Sequence, residues 1–91
     1  MEKLAKILVS GVVQGVGFRY FVFGLAKNFG LPGIVKNLYD SRVYIEVEGN
    51  QEIIKQFIRD VKTGNRWSVV KAINVEWENY SGKFKNFDIT Y

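Results

Sequence analysis

The sequence predicts an α+β fold in which two helices cover one face of an antiparallel sheet, in the order βαββαβ with a short extra strand at the end. Three observations predict it. Two segments repeat apolar residues at helical spacing and each stops at a glycine. Four others alternate apolar and polar residues in the two-residue period of a half-buried strand, and the two kinds of segment follow one another in that order.

The first strand is read from Lys6 to Gly11, where Ile7 and Val9 alternate with Lys6, Leu8 and Ser10. A glycine-containing loop, Gly11 to Gly17, leads to a helix over residues 19–29. Its stripe is Phe18, Val22, Leu25, Ala26 and Phe29, and Gly30 and Pro32 end it. Gly33 to Leu38 is a second strand and Tyr39-Asp40-Ser41 a turn, and Val43, Ile45 and Val47 opposite Tyr44, Glu46 and Glu48 form a third strand that closes a hairpin. Asn50 is placed to cap a second helix, with Glu52 in its first turn and Lys62 in its last, as the helix dipole favours. Its buried stripe is Ile53, Ile54, Phe57, Ile58 and Val61, and Gly64 ends it. An irregular stretch, Asn65 to Ser68, precedes a fourth strand carrying Ile73, Val75 and Trp77, and Phe87, Ile89 and Tyr91 suggest a short fifth. Together these make a ferredoxin-like α/β sandwich, expected to form one domain over residues 1–91.

Composition narrows the chemistry. The chain has no cysteine and no histidine, so disulfides, thiolate nucleophiles, imidazole bases and His- or Cys-based metal sites are all excluded. Hydrolysis would have to run on Arg, Lys, Asn, carboxylates, hydroxyls and backbone N–H groups. A net charge of +4 favours anionic ligands. No apolar run approaches the ~20 residues of a membrane span and no signal peptide is apparent, so a cytoplasmic location is expected.

The segment Gly11-Val12-Val13-Gln14-Gly15-Val16-Gly17-Phe18-Arg19 joins a strand to a helix N-terminus. Closely spaced glycines let successive N–H groups point into one concavity, the helix start adds partial positive charge, and Arg19 supplies a forked donor matched to phosphate oxygens. Taken alone, the glycines could serve only to make the turn. An arginine beside the positive end of a helix dipole is locally unfavourable unless an anion is present.

The residues Gly11, Val13-Gln14-Gly15-Val16 and Phe18-Arg19 resemble the first motif of the acylphosphatase family, and Gly33-Ile34-Val35-Lys36-Asn37 followed by Asp40 resembles its second. The resemblance extends to Glu48-Gly49 and to Phe87-Asp88-Ile89, nearly the whole chain. It implies an acylphosphatase that needs no metal and no cofactor. Backbone N–H groups of Gln14, Gly15, Val16, Gly17 and Phe18 would cradle the phosphoryl group, Arg19 would bind its oxygens, and Asn37 would orient the attacking water. Without the motif, Asn37 would be read as a strand-end amide capping the turn. The implied substrate is a small acyl phosphate, with inorganic phosphate as product and inhibitor, and the chain is expected to act as a monomer. Ser41 and Asn65 depart from the family pattern, which often has glycine at the first place and proline at the second, and this puts the local geometry of two loops in question.

An RNA-binding module shares the topology, and Gly17-Phe18-Arg19-Tyr20-Phe21 superficially resembles its aromatic motif. That motif belongs on a central strand, whereas this segment opens a helix, where Phe18 and Phe21 are expected in the core. Glu46, Glu48, Glu76 and Glu78 on the outward faces of the strands would repel a phosphate backbone. No nucleic acid and no membrane partner is therefore expected. The remaining alternative is a non-catalytic binding or regulatory domain of the same fold.

Overall fold

The computed structural model describes residues 1–91. In chain order the elements are β1 (Glu2–Val12), α1 (Phe18–Phe29), β2 (Gly33–Asn37), β3 (Val43–Asn50), α2 (Gln51–Thr63), β4 (Val69–Asn79) and β5 (Phe87–Ile89). The sheet order is β4-β1-β3-β2-β5. The first four strands pair antiparallel, while β5 adds to the edge of β2 in parallel, so the sheet is mixed. This is the expected sandwich with its extra strand. Alternation sets the register: Ala5, Ile7 and Val9 of β1 stand opposite Val47, Ile45 and Val43 of β3, and all six are fully buried. Val22 and Ala26 of α1 and Ile54, Phe57 and Val61 of α2 pack with them in one core, with Phe18 at the start of α1. Ile53 does not join the expected stripe; it lies at the exposed edge of α2, one position from Ile54.

Both helices end as their sequences foretell. Gly30 follows α1 in the left-handed region and donates its N–H to the carbonyls of Ala26 and Lys27. Asn50 caps α2, its Oδ1 accepting from the N–H groups of Glu52 (2.9 Å) and Ile53 (3.2 Å).

β1 begins at Glu2, four residues earlier than its alternation suggests. The cause is Leu4, which faces away from the helices yet is buried beside its partner Glu48. Glu48 was expected on a solvated face and is instead fully buried. Its Oε2 accepts from the Ser81 N–H (2.6 Å), the Ser81 hydroxyl (2.7 Å) and the Gly82 N–H (3.2 Å). The β4–β5 connection thus crosses the open face of the sheet and covers this end of it. Elsewhere that face is polar: Lys6 pairs with Glu78 at 3.2 Å, Lys83 with Glu46 at 3.2 Å, and the Tyr44 hydroxyl donates to Glu46 at 2.7 Å. Burial, reinforced by that hydrogen bond and the negative Glu46, pushes the Tyr44 phenol well above its usual range.

Candidate active site

The β1–α1 loop owes its shape to two glycines. Gly15 (φ 74°) and Gly17 (φ 73°) both take the left-handed conformation, which costs glycine nothing and other residues about 1 kcal/mol or more. Each reverses the course of the backbone, and the consequence shows in the hydrogen bonds. None of the backbone N–H groups of Gln14, Gly15, Val16, Gly17 and Phe18 donates to an acceptor of the protein. Backbone donors left without a partner are rare, and a run of them is the signature of an anion nest. The loop runs directly into α1, whose N-terminus has no side-chain cap and no acidic residue in its first turn, so the positive end of its dipole is uncompensated.

Arg19 stands in that first turn. It forms no ion pair with any carboxylate, and its guanidinium lies over the Tyr91 ring, 4.9 Å from the centroid, which holds a cation by its π face while leaving the N–H fork free. Asn37 ends β2. Its Oδ1 is buried and has no hydrogen-bond partner, an expensive state for an amide oxygen. The fold brings these groups together: Gly15, Gly17, Phe18, Arg19 and Asn37 line one cavity of about 130 Å³ with Val13 and Tyr20. Of the residues singled out in the sequence, Gln14 and Val16 do not line it.

Asn37 also borders a second recess, of about 350 Å³, with Lys36, Leu38, Tyr39 and Tyr91. The two recesses adjoin at this residue, so a ligand with a small anionic head in the first would extend its remainder into the second. A third recess of about 190 Å³, between the end of α1 and Lys85 to Phe87, gathers no comparable set of unpaired donors. No group of three or more His, Cys, Asp or Glu side chains is placed to hold a metal ion, and no helix is long and apolar enough to cross a membrane.

Side-chain bonds brace the loop at both ends. Gln14 donates through Nε2 to the carbonyls of Leu38 (2.8 Å) and Arg42 (2.9 Å), tying β1–α1 to the β2–β3 turn just beyond Asn37. Within that turn Asp40 accepts from the Arg42 backbone N–H at 3.2 Å and from its Nε at 2.8 Å, and the Arg42 hydrogen bonds hold the Asp40 carboxyl below its usual range. Asp40 is exposed and spoken for, a turn residue rather than a base. From the other side Asn65 donates through Nδ2 to the Val16 carbonyl at 2.8 Å. Neither the Gln14 and Asn65 braces nor the Tyr91 shelf was foreseen from the sequence. Their partners lie 24, 28 and 49 residues away for the two amides, beyond the reach of any local pattern.

Comparison with known proteins fits this geometry. The acylphosphatase family model matches residues 5–89. The chain is 42% identical over 89 residues to an acylphosphatase of Caldanaerobacter subterraneus subsp. tengcongensis, covering 98% of this chain and 99% of that one. The crystal structure of acylphosphatase from Bacillus subtilis superposes with a TM-score of 0.95 at 41% identity, covering 100% of both chains. Full-length HypF in a phosphate- and nucleotide-bound form contains a similar unit, with a TM-score of 0.86 and 39% identity, that covers 100% of this chain but only 12% of that one.

Proposed function

The chain belongs to the acylphosphatase family, and from that premise we propose that it hydrolyses the carboxyl-phosphate bond of small acyl phosphates at the cavity between Arg19 and Asn37. The observation that carries the assignment of residues is the run of unpaired N–H groups from Gln14 to Phe18 beside an Arg19 without a carboxylate partner. Such donors suit a phosphoryl group, whose equatorial oxygens carry the charge that grows in the transition state. Donors fixed before the substrate arrives need no reorganisation as that charge develops.

In this reading the backbone of Gln14, Gly15, Val16, Gly17 and Phe18 is a phosphate-binding loop and Arg19 grips the phosphoryl oxygens. Asn37, which lines the same cavity, orients through its side-chain amide a water molecule in line with the scissile bond. The leaving group is a carboxylate, which departs without strong acid assistance, so positioning and electrostatics suffice and the substrate phosphate can itself take up a proton. The products are carboxylate and inorganic phosphate, and phosphate inhibits by occupying the same loop. We take the enzyme to be a cytoplasmic monomer, one domain over residues 1–91, acting without cofactor.

The division of labour is tested by two variants assayed with acetyl phosphate. Asn37→Ala should lower kcat by about 10²–10³ while the inhibition constant of inorganic phosphate stays within about twofold, since only the water loses its anchor. Arg19→Ala should weaken phosphate inhibition as well. Full kcat in folded Asn37→Ala would remove the water-positioning role.

A further inference from the structure

Asn65 reaches across 49 positions to the most delicate point of the β1–α1 loop. Its acceptor, the Val16 carbonyl, belongs to the peptide that enters Gly17, and a glycine there permits that peptide to rotate at little cost. In a trans peptide the C=O and the following N–H point in opposite directions. Holding the Val16 carbonyl against Asn65 therefore turns the Gly17 N–H the other way, away from Asn65. Asn65 is itself held: its N–H donates to Ser68 Oγ at 2.9 Å, and the Ser68 hydroxyl donates back to its carbonyl at 3.1 Å. Its own Oδ1 is buried with no partner, so the side chain acts at this place through its donor alone.

We propose that Asn65 is a positioning residue that locks the Val16–Gly17 peptide with its N–H presented to the phosphoryl group. The inference rests on the phosphate-binding reading above and assigns to the α2–β4 loop a share in building the site. Asn65 touches no reacting atom; it acts through the Gly17 N–H.

The probe is inorganic phosphate, titrated into the full ¹⁵N-labelled chain while the Gly17 amide resonance is followed, with hydrolysis of benzoyl phosphate measured in parallel. In the wild type the Gly17 amide should shift on binding. In Asn65→Ala that shift should largely vanish, and phosphate affinity and kcat/KM should each fall about tenfold, the worth of one such hydrogen bond. Asn65→Asp supplies a readout that a purely structural role would not move. An ionised carboxylate repels the Val16 carbonyl, whereas a protonated one donates to it, so phosphate affinity relative to wild type should recover as pH falls toward about 4. Asn65→Ala with wild-type affinity and an intact Gly17 shift would overturn the proposal, as would an Asn65→Asp to wild-type ratio that stays flat with pH. A wild type whose Gly17 amide ignores phosphate would overturn the phosphate-binding loop as well, which separates that failure from the failure of the Asn65 brace alone.

Discussion

Ser41 holds φ at 77°, the one residue other than glycine on that side of the map. It occupies the β2–β3 turn, where its N–H reaches back to the Leu38 carbonyl at 3.4 Å and Arg42 closes the hairpin by accepting from the Leu38 N–H at 2.8 Å. The left-handed turn is thus kept without a glycine, at a strain of about 1 kcal/mol. Ser41→Gly should relieve that strain but return about 0.4–1 kcal/mol in unfolded-chain entropy, so stability in chemical denaturation should rise by no more than about 0.5 kcal/mol. A clearly lowered midpoint would show that Ser41 is not strained in this turn. The same scale shows what single residues reveal in a sequence. Arg19 stood out because a cation at a helix start is locally unfavourable, and Asn37 only through its motif, since a strand-end asparagine has no chemical oddity until its buried Oδ1 is seen. Asn65 showed in the sequence only as a departure from the family pattern, because its meaning lies in a carbonyl on another loop.

The two helices differ at their starts, and the difference separates structure from function. α2 is capped by Asn50, carries Glu52 in its first turn and ends with Lys62 in its last, each choice favouring the helix dipole. Asn50→Ala should cost about 1 kcal/mol and lower Tm by roughly 4–8 °C, read by thermal unfolding, with activity at low temperature unaffected. α1 shares the basic last turn, through Lys27, but has neither the side-chain cap nor the acidic first turn, and begins instead with Gly17, Phe18 and Arg19. The first N–H groups of α1 are thus left without a side-chain acceptor, as the proposed phosphate site requires. The elements themselves were legible because most strands bury one face, which keeps the two-residue alternation clean. β1 was read short at its beginning because Leu4 and Ala5 are both buried, one on each face, so alternation vanishes where the β4–β5 connection covers the sheet. The glycine that opens β2 is also explained at this scale: a Cβ on Gly33 would overlap the Glu46 carbonyl of β3.

At the scale of the whole molecule, Glu48 pins the β4–β5 connection across the sheet and so helps deliver β5, and after it Tyr91, to the side of the fold where Arg19 lies. Burial by itself would raise the Glu48 pKa, but the Ser81 hydroxyl and the Ser81, Gly82 and Phe84 N–H groups outweigh it and leave the carboxyl below its ordinary value of 4.5. A depressed carboxyl stabilises the fold fully above its unfolded value and loses that contribution as pH falls through the folded one. Glu48→Gln should therefore lower stability at neutral pH by about 2 kcal/mol and flatten the loss of stability below about pH 4.5, as measured by urea unfolding at several pH values. An acid profile unchanged by the substitution would assign the pH dependence to other groups. This tie was invisible in the sequence, where Glu48 alternates like any solvated strand residue.

The assignment of hydrolysis to a loop of unpaired backbone donors and one arginine is tested first by the turnover of benzoyl phosphate by the purified chain in the presence of a chelator, with Arg19→Ala assayed beside it. Metal-independent hydrolysis, competitive inhibition by inorganic phosphate, and a fall of about 10²–10³ or more in kcat/KM for Arg19→Ala are expected. Folded wild-type protein with no turnover, or an Arg19→Ala variant as active as wild type, would contradict that assignment.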